Sequence, residues 1–230
     1  MSRSLLAALV AAVAMAIPAA AAQAAPSLSF DQPCYAEGDP MTYSGAGYTP
    51  NGEINFFFRS LSTGGVGTYD TRSDPTGAIA GTIRAPDEDA FISDGEVSGV
   101  MGVTANDRSR IDQGAPVEEQ FAASFFTMTR WEVELLRPGG GPIRASKPMR
   151  VVANGFTRAI GDTLYVQYRR GGKVRRAVKL GRLGGDCGDR TKTLKRALPR
   201  GLHPGRYGLM FTTSPRSADG ERISFTQRFR

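Results

Sequence analysis

Along most of this chain hydrophobic and polar residues alternate, and they do not recur at helical spacing. Leu164, Val166 and Tyr168 take every second position of the segment 163–170, and Val174 and Val178 lie beyond Gly171-Gly172. That pattern predicts a β-hairpin closed by a two-residue turn of the primed type, which accepts glycine at both central positions. The same reading places strands at 41–47, 53–59, 78–84, 96–104 and 119–128, and again at 131–136, 149–154, 163–170, 173–180, 191–198, 206–212 and 223–229. After the first two dozen residues no segment holds a helical period. The expected class is all-β, with many short strands joined by turns.

The beginning of the chain follows another logic. Arg3 is followed by an uninterrupted apolar run over 5–17, and Ala22-Gln23-Ala24 offers small residues before Ala25-Pro26. These are the three zones of a secretory signal peptide, expected to span residues 1–24 and to be removed. An apolar core of about 13 residues is too short to cross a bilayer of about 30 Å as a helix. No Arg pair marks the twin-arginine route, and no Cys stands ready for lipidation. The expected product is secreted, extracellular or associated with the cell wall, with no transmembrane segment in the mature chain.

The mature part repeats itself. Pro40-Met41, Gly47 and Tyr48-Thr49 recur at one constant offset as Pro148-Met149, Gly155 and Phe156-Thr157. Past a turn of different length, Gly52-Glu53 and the strand 54–59 answer Gly161-Asp162 and the strand 164–169. A period of about 110 residues suits a duplicated domain and is too long for a solenoid unit. The expected division is an acidic β-sandwich over 25–128 and a basic one over 129–230, linked near 127–130. The glycine corner followed by an aromatic-Thr pair and an alternating strand resembles the start of bacterial Ig-like modules, including the IPT/TIG type. Asp74-Pro75-Thr76-Gly77 with Ile79, Thr82 and Ile83 is similar to a hairpin of the same modules. The tandem arrangement also resembles secreted proteins of high-GC Gram-positive bacteria. The resemblance implies two Ig-like β-sandwich domains after export. Its motifs are turn chemistry, so it implies no activity.

Composition sharpens this picture at two points. The chain has two cysteines, Cys34 and Cys187. An oxidising compartment favours an intrachain disulfide between them, with buried free thiols or intermolecular pairing as the alternatives. Charge is divided unevenly. Residues 25–128 hold fifteen acids and five bases, a net −10, and residues 129–230 hold seven acids and twenty-three bases, a net +16. Such a split bears on partners rather than on fold. Three explanations are open: ordinary solvated faces, electrostatic docking of the two domains, or an external anionic polymer. For the last, the candidate residues are Arg169, Arg170, Lys173, Arg175, Arg176, Lys179 and Arg182. A docked arrangement held by Cys34–Cys187 is expected to bring acids close to Arg175, Arg182 or Arg190.

The residues needed for catalysis are scarce. His203, the one histidine, lies in a Gly-Leu-His-Pro-Gly turn setting with no nucleophile elbow in the sequence. No Cys/His pairing has zinc spacing, and the acids Asp87, Glu88, Asp89 and Asp94 lack a calcium-loop spacing and read as an exposed turn. Trp131, the single Trp, is expected to pack in a core. No cofactor, metal or catalytic site is expected. The reading is a non-enzymatic binding or accessory protein of the cell envelope. Its partner is an anionic envelope polymer or a protein; nucleic acid fits less well, because Tyr165 and Tyr168 read as strand residues. The alternatives are a rigid spacer and, behind it, a carboxylate-based glycan hydrolase.

Overall fold

The computed structural model describes residues 24–217 and 220–230. The expected leader lies outside the described residues, apart from Ala24 at its end. The first half contributes β1 (Ser27–Phe30), β2 (Cys34–Ala36), β3 (Pro40–Ala46), β4 (Glu53–Ser60), β5 (Val66–Arg72), β6 (Ile79–Arg84), β7 (Ser98–Asp107) and β8 (Phe121–Thr129). The second contributes β9 (Glu132–Leu136), β10 (Met149–Asn154), β11 (Thr163–Arg170), β12 (Lys173–Arg182), β13 (Arg190–Leu194), β14 (Gly205–Thr212) and β15 (Arg222–Phe229).

These strands form sheets in the orders β1-β3-β6 and β2-β8-β7-β4-β5, then β9-β10-β13 and β12-β11-β14-β15. No sheet mixes strands from the two halves. In immunoglobulin lettering each half pairs A, B and E in one sheet and C′, C, F and G in the other, which makes each an Ig-like sandwich. The first half alone adds β2, pairing parallel along β8. One hydrophobic core lies inside each half, around Tyr43, Phe56 and Met101 in the first and around Val166, Tyr168 and Phe211 in the second.

The repeat seen in the sequence is the same corner built twice. Met41 and Met149 are fully buried on β3 and β10, and Tyr48 and Phe156 plug the cores one turn later. Between them Gly47 and Gly155 have φ of 85° and 75°. A side chain at either would strike backbone: residues 24–25 at Gly47, and Arg130 and Trp131 at Gly155. In both halves the corner therefore lies against the chain entering the first strand, and only glycine combines that conformation with that closeness.

The hairpin 163–182 forms as the alternation predicts. Gly171 and Gly172 both have positive φ, and Leu164, Val166 and Tyr168 all point into the core. Short helices appear where none was expected: α1 (Glu88–Phe91), α2 (Arg108–Asp112) and α3 (Val117–Gln120). The expected exposed turn at 87–89 is the start of α1, with Asp87 capping it by accepting from the Asp89 amide at 2.9 Å. The strand expected at 119–128 begins only at Phe121 because α3 takes its first residues, and β8 runs on to Thr129. The strand expected at 191–198 ends at Leu194. Ala197 and Leu198 instead donate backbone hydrogen bonds to Lys147 and Ala145.

Cys34 and Cys187 form a disulfide with Cα atoms 5.2 Å apart, closing a loop of 153 residues. It ties β2 of the first sandwich to the turn before β13 of the second. In the chain-entropy model a loop of this length is worth up to about 5 kcal/mol.

Candidate functional site

The seven bases singled out in the sequence lie on one hairpin but do not share one environment. Arg169 is opposite Gly208 of β14, on the outer face of the four-stranded sheet. Arg170 points the other way, with its guanidinium 5.8 Å above the Tyr207 ring. Lys173 pairs with Arg170 across the hairpin end, and Arg176 lies opposite Tyr168 on the core-facing side of the edge strand. Lys179 pairs with Tyr165 on the outer face, while Arg175 sits at a register shift and Arg182 ends β12. Among the described residues none of the seven forms an ion pair with a carboxylate; the basic partners in ion pairs are Arg72, Arg110, Arg130 and Arg158.

Alternation also brings Arg206 and Arg228 to the outer face. They are direct cross-strand partners on β14 and β15. Nothing in a single sequence signals such a pair, because it depends on the register between strands separated by a loop.

The junction of the two sandwiches is the second candidate. Asp39 is buried there, and both its carboxylate oxygens are engaged. Its Oδ2 accepts from the Ala36 amide at 2.9 Å and from the Thr157 hydroxyl at 2.6 Å, and its Oδ1 pairs with Arg158 at 2.6 Å. The Arg158 amide donates to Glu221 at 3.4 Å. Burial, reinforced by the charge on Asp39, pushes the Glu221 carboxyl up to about 6. Asp39, Arg158 and Glu221, with Glu37, Asp162 and Trp131, line a cleft of about 460 Å³. Trp131 was expected in a core. It is 45% exposed and rests edge-on against Phe156, because β9 begins only after it.

Docking therefore uses less charge than the composition offers. Beyond the link, Asp39–Arg158 is the ion pair that joins the two halves among the described residues, running from the turn before β3 to the 3-10 turn after β10, and Arg175, Arg182 and Arg190 form none. Arg190 instead donates to the Leu180 carbonyl at 3.1 Å. Arg130, at the link, reaches back to Glu88 and Asp89 at 3.2 and 3.0 Å.

The cleft holds carboxylates, of which Asp39 is engaged by the Ala36 amide, the Thr157 hydroxyl and the Arg158 guanidinium. His203 lies in a loop, where its carbonyl accepts from the Tyr207 hydroxyl at 2.9 Å. Among the described residues no group of His, Cys, Asp and Glu has the geometry to hold a metal ion, and no helix is long and apolar enough to cross a membrane.

No protein-family model matches the chain, and no curated protein matches it. Among solved structures it is similar to the tetra-tandem repeat in the extending region of a large adhesion protein, at 12% identity and TM-score 0.30, over 89% of this chain and 48% of that one. It is also similar to red sea bream transglutaminase, at 9% identity and TM-score 0.29, over 90% of this chain and 31% of that one. The chain thus spans less than half the length of either. What the geometry establishes is two Ig-like sandwiches joined by a disulfide, the second carrying on its β11–β12 hairpin bases without a carboxylate partner among the described residues.

Proposed function

We propose that the chain is an exported, non-enzymatic binding protein of the cell envelope, made of tandem Ig-like modules of the IPT/TIG type, whose second sandwich holds an anionic polymer. One observation carries the reading: the bases of the β11–β12 hairpin have no carboxylate partner among the described residues. A net +16 on one half, left uncompensated by a half of −10 joined to it, destabilises the compact state unless counterions or a polyanion neutralise it. The disulfide supports export, since such bonds persist in oxidising compartments. The test is titration of the oxidised mature chain, residues 25–230, with fluorescently labelled poly(glycerol phosphate) at low salt. Saturable binding that weakens steeply with salt is expected, and no binding at 50 mM salt would overturn the proposal.

The saturated cluster at the junction favours a second reading. Asp39, Thr157 and Arg158, together with the disulfide, fix one sandwich on the other, as a rigid spacer requires. Small-angle scattering at low and high salt separates the readings. A spacer keeps its dimensions and binds no polymer.

A further inference from the structure

Within that reading, we infer that the binding surface is the outer face of β11, β14 and β15, and that it recognises phosphate along a linear polyol phosphate chain. The hairpin edge, where most of the sequence-level bases lie, is not the site.

Arg169 is held by neutral groups alone. Its Nη1 donates to Gln167 Oε1 at 3.1 Å and lies 3.5 Å from the Met210 sulfur, and its Nη2 donates to the Gly172 carbonyl at 2.8 Å. Gln167 is itself fully buried, with Nε2 donating at 2.9 Å to the carbonyls of Ser214 and Ser217. This network fixes the guanidinium in place without cancelling its charge. Such preorganisation is what an anion site needs and what a solvated surface Arg lacks.

Two further charges stand beside it. Arg169, Gly208 and Thr226 form one straight row across three strands. Arg206 and Arg228, two residues further along β14 and β15, lie on the same face by strand periodicity. Direct cross-strand partners have Cβ atoms about 5 Å apart, and like charges there are destabilising. Both are exposed and neither has a carboxylate partner among the described residues. An anion bridging them removes the repulsion. Beside Arg169 the surface dips into an open cradle of about 380 Å³, where Gly208 contributes no side chain and Ser224 and Thr226 offer hydroxyls; Arg206 and Arg228 stand outside it, at the next outward position along β14 and β15. One guanidinium and two hydroxyls lining the same cradle, with two more guanidiniums next to it, suit successive phosphates of a diester chain.

The class of polymer follows from what surrounds the arginines. The exposed large hydrophobic residues include none on β11, β12, β14 or β15. A membrane surface needs apolar anchors to insert, and single-stranded nucleic acid gains most from aromatic platforms. A charged face with no exposed large hydrophobic residue, and with Tyr165 alone as a partly exposed aromatic four residues from Arg169, fits a flexible chain that is gripped by its phosphates.

The experiment compares two charge-matched triple variants of the oxidised mature chain. One removes the face (Arg169→Gln, Arg206→Gln, Arg228→Gln) and the other the edge (Arg175→Gln, Arg176→Gln, Arg182→Gln). Melting temperature and free-thiol titration serve as controls of folding. With poly(glycerol phosphate), the face variant is expected to lose at least tenfold in affinity and the edge variant less than threefold. Equal losses, or a larger loss at the edge, overturn the placement and leave the broader binding reading standing. Absence of wild-type binding overturns both. The pair Ser224→Ala and Thr226→Ala is expected to weaken binding to poly(glycerol phosphate) while leaving binding to polyglutamate unchanged. A parallel fall for both polymers overturns the phosphate assignment, as does tighter binding to oligonucleotides or to anionic lipid vesicles.

Discussion

The two sandwiches share a strand order and a glycine corner, yet their corresponding outer faces have opposite chemistry. In the first, the face built by β8, β7, β4 and β5 exposes Phe125, Phe121 and Val100, with Phe125 65% exposed across from Gly102. In the second, the equivalent face is flat and polar and carries Arg169, Arg206 and Arg228. The inward positions are alike because both must fill a core between two sheets. The outward positions are free to diverge, because the ladder is indifferent to what alternate residues present to solvent. The edges differ too: β2 covers the G-strand of the first sandwich, whereas just past the matching strand β15 the Arg230 carbonyl accepts from Ala145 in the loop between β9 and β10. The two halves share a scaffold and differ in the surfaces they present.

The strongest way to break the comparison is to cut the bond joining the halves. Cys34→Ser with Cys187→Ser is expected to lower stability by up to about 5 kcal/mol. If each half holds its own core, calorimetry should then resolve two transitions. A single shared transition would mean that the halves fold as one unit. In the same variant, high salt should increase the radius of gyration, since Asp39–Arg158 is then screened and only the backbone link near Arg130 remains.

A somewhat smaller loss, confined to the first sandwich, is expected from Arg110→Ala. Arg110 and Asp107 are both buried and lie 3.4 Å apart. Arg110 also donates to the carbonyls of Gly47 and Glu119 at 2.6 and 2.8 Å. Removing it leaves Asp107 buried without its partner, a change worth about 3–5 kcal/mol. If only the transition of the first sandwich moves in the disulfide-free background, the halves are energetically separate.

The glycine corners provide a matched pair. Gly47→Ala and Gly155→Ala each force a side chain onto backbone at positive φ, and each is expected to cost more than about 1 kcal/mol. Similar shifts in melting would support equivalence of the corners. A loss at one and none at the other would break it.

How much of this was legible in the sequence varies with the strength of the local signal. The β11–β12 hairpin could be read because its apolar residues alternate and its turn is Gly-Gly. β5 could not, because Val66–Arg72 lies at a sheet edge with little of it buried and presents no apolar period. β2 is three residues long, below the length at which alternation can show. Cys34 and Cys187 were readable as a candidate pair from composition and compartment. The partner of Asp39 was not, since Thr157 and Arg158 reach it only through the docking of two separately patterned halves. The pairing of Arg206 with Arg228 was hidden for the same reason: register is a property of two strands.

The smallest expected effect is in pH. Burial raises Glu221 to about 6, above its unfolded value, so the folded state binds the extra proton. That favours the fold at low pH, and the contribution is lost as pH rises from about 4.5 through 6. Melting temperature should decline modestly over that window in the wild type and stay flatter in Glu221→Gln. An identical decline in both would show that this carboxyl does not report on the junction.

The central claim is that the bases of the second sandwich serve an external polyanion and not the acids of the first. It is tested most directly by the affinity of the oxidised mature chain for poly(glycerol phosphate) across 50 to 200 mM salt. A linear fall of log affinity with log salt is predicted, with a slope that becomes shallower when Arg169, Arg206 and Arg228 are replaced by Gln. Affinity that is absent, or that does not change with salt, would contradict it.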